Sequence, residues 1–430
     1  MTELIGISLN DGLELLGKLT SEIIWYGKSL FLCAGCEQIF PNWRFYSTAD
    51  EGFAEPTEKC RESSGRRVCL AFEPTTEVQS WAYENDAELL CPPRRLVRMI
   101  GNKQSLSSIL HSAGVETIRS ANYDKPDRRD AARIWAGFSH SPLVVQLPEN
   151  NLTGMGTRLV TSQDELAQTL SEWSTSNLKI SSYVFGNSLT VSGCVGPDAT
   201  SVSGVSRQLV GLAPLTNIWG QHCGNQLLNG PTSTLDKCSY ICKLVGDELR
   251  RRNFRGLFGL DLVQTQDNEI VVVEINPRIQ SVTSLLNVAE SETGLLPLPG
   301  VHILSFLLDS LSAYEHRSKK CLPLLSHMLL YAHESGRVRQ VPSLGSYSLG
   351  DGILVKESSH CRLGLIGPGE CVVWPFVRVG EPLVRGTKLA ALQLRAPVVD
   401  DTNVLTAQAR DWISALRLLF QIESEGHALV

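Results

Sequence analysis

Two apolar, β-branched runs near the middle of the chain limit most tightly what it can fold into. Gly256-Leu257-Phe258-Gly259-Leu260-Asp261-Leu262-Val263 is followed, after the polar break Gln264-Thr265-Gln266-Asp267-Asn268-Glu269, by Ile270-Val271-Val272-Val273-Glu274-Ile275-Asn276-Pro277-Arg278. Such a pair predicts an antiparallel hairpin. With Asp267-Asn268 as a two-residue turn, Asp261 lies directly across from Glu274. Asn276 then shares their face, because strand side chains repeat every second residue. Two carboxylates, an amide oxygen and the nearby Arg278 on one wall suit a divalent metal and a phosphate. The same pattern on an exposed sheet face is the plainer alternative.

The 430 residues, 43% hydrophobic and 20% charged, are enough for several cores and for two to four domains of roughly 100–200 residues each. The net charge of -6 argues against a nucleic-acid scaffold, which would carry a basic excess. No run approaches the ~18 apolar residues of a membrane span. The first ten residues include Glu3 and Asn10 instead of a basic start and a long apolar core, so no signal peptide is expected and a cytoplasmic location is. Twelve scattered cysteines, such as Cys69 and Cys194 within apolar runs, fit buried thiols in a reducing compartment. Cys33-Ala34-Gly35-Cys36 is a lone C-x-x-C, and Cys238 and Cys242 stand at helical spacing, so neither makes a convincing metal or redox site.

The first hundred residues alternate short apolar runs (29–33, 67–72, 88–91) with helix-compatible segments, which predicts a small α/β domain with parallel strands. From Gly101 onward Asn102-Lys103 opens a helix carrying Leu106, Ile109 and Leu110, ended by Gly114. A strand over 142–147 leads through a glycine loop, 148–157, into a second strand at 158–160. Ser162 with Glu165 then forms a capping box for a helix. Helices are further expected over 233–251, 280–289, 301–312 and 407–420, with a β-rich region over 328–394. Pro297 and Pro299 mark a break between the last two parts.

Gly154 and Gly156 let backbone amides approach an anion without a Cβ in the way, although a lone Gly-x-Gly also suits an ordinary turn. Together with the hairpin acids the loop falls into a familiar linear order. Gly101-Asn102-Lys103 precedes a helix and Ala113-Gly114-Val115. Pro142-Leu143-Val144-Val145 follows with Gly154-x-Gly156-Thr157, then Gly220-Gln221-His222-Cys223-Gly224-Asn225, and finally Glu274-Ile275-Asn276-Pro277-Arg278. Over this stretch, about 101–290, the chain resembles the ATP-grasp superfamily. It is close in pattern to the nucleotide domains of carbamoyl-phosphate synthetase and biotin carboxylase.

The resemblance implies three parts: an N-terminal α/β domain (1–100), an ATP-grasp core of two α+β subdomains (101–298) and a C-terminal α+β cap (299–430). It implies ATP between the subdomains, with Asp261, Glu274 and Asn276 holding Mg²⁺ (or Mn²⁺) and Arg278 and Lys103 on phosphate oxygens. Gly154, Met155, Gly156 and Thr157 would cover the triphosphate, with Tyr183 and Val184 on the adenine side and His222 beside the nucleotide. Members of this superfamily phosphorylate a carboxylate and pass the acyl group to a nucleophile, usually an amine. A ligase joining a small carboxylate, an amino acid or specialised metabolite, to an amine is therefore expected, with no nucleic-acid or membrane partner. A carrier-protein thiol as acceptor, a silent nucleotide-binding role and a homodimer are compatible with the same pattern. Two departures bear on the nucleotide: Gln146 stands where many members place a lysine, and Ser181-Ser182-Tyr183-Val184 lacks the usual acid and lysine. Val282 replaces an acid that handles bicarbonate in biotin carboxylase, so biotin carboxylation is not expected. Arg207 and Gln208 are expected at the cleft, Trp219 beneath the Gly220 loop, and Arg250 to Arg252 as a solvated helix end.

Overall fold

A computed structural model describes residues 4–26, 30–40, 43–46, 66–148, 156–229, 233–318 and 321–423. The N-terminal part is the expected parallel α/β unit. Its four strands run in the order Trp43–Tyr46, Glu22–Tyr26, Arg67–Ala71, Glu88–Leu89. Helix Leu9–Leu19 begins where the Ser8 hydroxyl accepts from the Asp11 amide at 3.2 Å, and helix Thr76–Glu84 begins on Thr75 in the same way. The run expected as a strand at 29–33 is instead a 3₁₀ turn, Leu30–Cys33, and the strand lies earlier, at Glu22–Tyr26. A short apolar run does not tell strand from helical turn, and Gly35, at φ +89°, turns the chain into a second short helix. The side chain of Cys33 lies outside the described residues; Cys36 is buried.

A second, antiparallel sheet has the order Ser120–Tyr123, Leu178–Ser182, Leu143–Gln146, Thr157–Val160. Alternation sorts its faces. Leu143, Val145, Leu178 and Ile180 enter a core with Ile134, Leu166 and Leu170 of the helices Ala131–Gly137 and Gln163–Glu172. Gln146 and Lys179 are left on the opposite face.

The largest sheet is antiparallel. From its edge it runs Ile270–Asn276, Gly256–Gln264, Asn187–Val195, Thr200–Val210, His222–Leu227, and then Ser326–Tyr331, Lys388–Leu394, Glu370–Pro375, Gly345–Gly350 and Ile353–Ser358. It thus passes without interruption across the boundary expected at 298. Helix Ser233–Arg251 covers one face with Leu235, Cys238, Cys242, Val245 and Leu249 against Phe258, Leu260 and Leu262. Its terminal arginines pair within the same helix: Arg250 with Asp247 at 3.0 Å, and Arg251 and Arg252 with Glu248, each at 2.7 Å. Helices Thr283–Glu292 and Leu298–Leu307 are offset by about three residues from their expected spans, and the last helix is Ala407–Leu418. Among the described residues no helix is long and apolar enough to cross a membrane.

Glu290 ties the central helices to the large sheet. Its buried carboxylate accepts from the Ser203 hydroxyl and, at 2.9 Å, from the Leu298 amide. Burial pushes this carboxyl up to about 7, only partly opposed by those two hydrogen bonds. An acid raised on folding stabilises below its unfolded value and loses that contribution as pH climbs through the folded value. Glu290→Gln removes the charge, its oxygen still accepting from the Leu298 amide and its NH2 donating to the Ser203 oxygen. The variant should match the wild type near pH 5 and exceed it at pH 8 by on the order of 2 kcal/mol in thermal or urea unfolding. A constant difference across that range would disprove the assignment.

Candidate active site

The hairpin pairs Asp261 with Glu274, as expected, but by a different route. No two-residue turn forms at Asp267-Asn268. The loop spans 265–269, with the Thr265 amide donating to Glu269 O at 2.9 Å, Asn268 at φ +61° and the Gln264 amide donating to Asn268 Oδ1 at 3.1 Å. That loop slips the register by one: Val263 faces Val271 and Leu262 faces Val272. A one-residue slip would turn Glu274 to the opposite face. A bulge at Val273 absorbs the extra residue and restores Asp261 opposite Glu274 and Gly259 opposite Asn276.

The resulting wall is densely hydrogen-bonded. Asp261 accepts from Asn276 Nδ2 at 3.0 Å, Thr190 Oγ1 at 3.2 Å and Gln280 Nε2 at 3.4 Å. Burial first, and then the facing Glu274, pushes the Asp261 carboxyl up; Asn276, Arg278 and Thr190 oppose the shift. Among the described residues the ion-pair partner of Glu274 is Lys103, its Nζ at 4.0 Å. Two facing acids whose neighbouring cations, Lys103, Lys179 and Arg278, stand back from them form a cation-seeking pair. Among the described residues no third His, Cys, Asp or Glu joins them. The donor set of two carboxylates and the Asn276 amide oxygen fits a hard divalent ion that completes its shell with phosphate and water. Arg278 donates to Asn276 Oδ1 at 3.3 Å and lies 4.9 Å over the Phe72 ring.

Opposite this wall the second sheet offers a row of side chains. Gln146 pairs with Thr157 on one side and with Lys179 on the other, and all three line the same cavity. The Gln146 amide donates to Thr157 Oγ1 at 3.4 Å. Lys179 is almost fully buried, and its ammonium is held down to about 8, mainly by burial and further by Lys103, against the pull of Glu274. The charge missing at Gln146 is therefore present one strand over. Lys179 was not anticipated. Its only trace in the sequence is a lysine between Leu178 and Ile180, where alternation puts it on the non-core face.

Lys103, Gln146, Thr157, Tyr183, Val184, His222, Asp261, Glu274, Asn276 and Arg278 line one cavity of about 1200 Å³. Gly154 and Met155 lie outside the described residues. Gly156 is buried where the hairpin closes, its carbonyl accepting from the Leu147 amide at 2.9 Å, and does not itself line the cavity. His222 shares a 2.8 Å hydrogen bond between Nε2 and Asn225 Oδ1, and burial lowers its pKa to about 4, so it is neutral. Trp219 does not pack beneath the Gly220 loop: it is 44% exposed, 6.4 Å from the Tyr183 ring at the cavity mouth. Arg207 pairs with Asp401 at 2.9 Å, while Gln208 lines the cavity. Two further walls come from distant segments without motifs: Phe72, Glu73 and Glu77 from the N-terminal unit, and Phe376 and Lys388 from the C-terminal strands.

Saturating MgATP should stabilise the wild type by about 2.7 kcal/mol at a hundredfold excess over Kd. Glu274→Gln should lose most of this shift while its ligand-free melting temperature stays level or rises, because a like-charge pair is removed. A shift of wild-type size in the variant would show that the two acids do not share a cation.

Comparison with known proteins agrees with this geometry. Residues 111–282 match the family model described as an ATP-grasp domain. No curated protein sequence matches the chain significantly. Among solved structures, a phosphoribosylamine–glycine ligase from Thermotoga maritima aligns with TM-score 0.59 at 14% identity, covering 94% of this chain and 98% of that one. An L-amino acid ligase from Bacillus licheniformis gives 0.59 at 11%, covering 94% and 99%. The biotin carboxylase domain dimer of the Hydrogenobacter thermophilus 2-oxoglutarate carboxylase, bound to MgADP, ADP and bicarbonate, gives 0.57 at 12%, covering 97% and 89%. The chain has their fold.

Proposed function

From a chain that carries an ATP-grasp domain, we infer an ATP-dependent ligase that joins a small carboxylate to an amine through an acyl phosphate. The observation that carries this reading is one cavity wall where Asp261, Glu274 and Asn276 stand beside Arg278 and opposite Lys103 and Lys179. It is supported by the solved neighbours named as a phosphoribosylamine–glycine ligase and an L-amino acid ligase.

In the first step a carboxylate oxygen bonds to the γ-phosphorus of ATP, and the bond to the bridging oxygen breaks, releasing ADP with the electron pair. In the second, the amine nitrogen bonds to the acyl carbon, the carbon–oxygen bond to phosphate breaks, and the nitrogen loses a proton to solvent. A divalent cation held by Asp261, Glu274 and Asn276 would neutralise phosphate charge. Lys103 and Lys179 bind phosphoryl oxygens, and Arg278 stabilises charge as it spreads in the transition state. Tyr183 and Val184 border the adenine and His222 the nucleotide. Gly154, Met155, Gly156 and Thr157 are assigned to cover the phosphates on the resemblance alone, with Gln146 as a neutral hydrogen-bonding neighbour. No protein nucleophile is required, which suits thiols such as Cys194 and Cys223, whose pKa burial pushes up to about 12.

ADP release should be measured with MgATP over a panel of carboxylates and amines. Glu274→Ala should abolish it while the circular dichroism spectrum is kept; undiminished turnover would sink the assignment. Lys179→Met should raise KM for ATP about tenfold, the loss of one charge-assisted hydrogen bond. Because Lys179 is protonated below about 8, wild-type affinity for ATP should fall as pH rises through that value. Lys179→Arg should remove this alkaline decline, and an unchanged decline would place the titrating group elsewhere.

A further inference from the structure

Lys388 is a basic side chain of the cavity to which the nucleotide assignment gives no role. Lys388 enters from the Lys388–Leu394 strand, far in sequence from the hairpin, and its ammonium lies 5.4 Å over the ring of Phe376. Among the described residues no carboxylate acts on it; the neighbouring charge that does is another cation, Arg278. Arg278 also has donor capacity to spare. Its Nη groups donate to Asn276 Oδ1 and Ile279 O, each at 3.3 Å, but its Nε is buried with no hydrogen-bond partner among the described residues. The flanking imidazole of His222 is neutral; Arg278 is faced by Glu274, Glu73 and Asp261, whereas the charge beside Lys388 is that of Arg278.

The walls around these two cations are aromatic. Arg278 lies over Phe72 and Lys388 over Phe376. Phe31 stands edge-on to Phe376, with centroids 5.6 Å apart, and edge-on to the buried His327 at 5.4 Å. A desolvated Lys388 with a second cation as its charged neighbour is costly unless an anion enters between them. On the ligase reading the anion is the reacting one, because Arg278 shares Asn276 with the acidic wall.

We propose that Lys388 and Arg278 together seat the carboxylate of the acyl donor, whose side group lies against Phe31, Phe72 and Phe376. The donor is thus a carboxylic acid bearing an aryl or similarly flat apolar group. The donor role rests on the ligase reading; the anion seat itself does not.

Isothermal titration of the full chain with 3-phenylpropionate, propionate and MgATP separates the two. Phenylpropionate should bind at least about tenfold more tightly than propionate. Lys388→Met should weaken phenylpropionate binding about tenfold or more and leave MgATP binding unchanged, and Lys388→Arg should restore most of the loss. Equal affinity for the two acids overturns the aromatic specificity, and wild-type phenylpropionate binding in Lys388→Met overturns the seat. If the expected binding pattern holds but no acid supports ADP release, the ligase reading fails and the seat stands.

Discussion

The architecture of the cavity depends on two carboxylates being held face to face where water is scarce. Asp261 and Glu274 repel one another, and the protein sustains them with three hydrogen bonds to Asp261 and a ring of cations at longer range. A bulge of one residue decides whether this pair exists. Without Val273 out of register, Glu274 would face the other side of the sheet, into the layer filled by Val245, Leu249 and Phe258. The site is thus built on a backbone irregularity instead of an ideal strand.

Its cations come from four separate elements. Lys103 follows an Asn102-capped turn, Lys179 lies on the small sheet, Arg278 just past the hairpin and Lys388 on a C-terminal strand. Among the described residues none of them forms an ion pair closer than the 4.0 Å separation of Lys103 and Glu274. Burial lowers the affinity of Lys179 and Lys388 for their protons, which marks the energetic cost of holding positive charge there without a ligand. Groups so arranged are preorganised for anions, and the ordering of elements around them sets where each anion can lie.

Much of this was legible from residue order. Strand alternation and the spacing of acids located Asp261, Glu274 and Asn276, and the helix over 233–251 followed from its apolar stripe. The two-residue turn was misplaced because Asp267-Asn268 is a strong turn signal, whereas the loop is closed by side chains of Gln264 and Thr265 that no dipeptide rule includes. Gln146 read as a lost charge since its strand was considered alone. Only the pairing of that strand with Leu178–Ser182 shows Lys179 beside it.

The sequence by itself determined the local elements and the superfamily resemblance, because these depend on periodicity and on groups close together in the chain, whereas the acidic wall also needed the bulge at Val273. The tertiary structure decided everything that depends on long-range register. It joined the C-terminal strands to the same sheet as the hairpin through the pairing of His222–Leu227 with Ser326–Tyr331. It thereby carried Lys388 and Phe376 to a cavity whose paired acids, Asp261 and Glu274, lie more than a hundred residues earlier. Hydrogen bonding between strands is blind to side-chain identity, so no local pattern around Lys388 could announce which residues would face it.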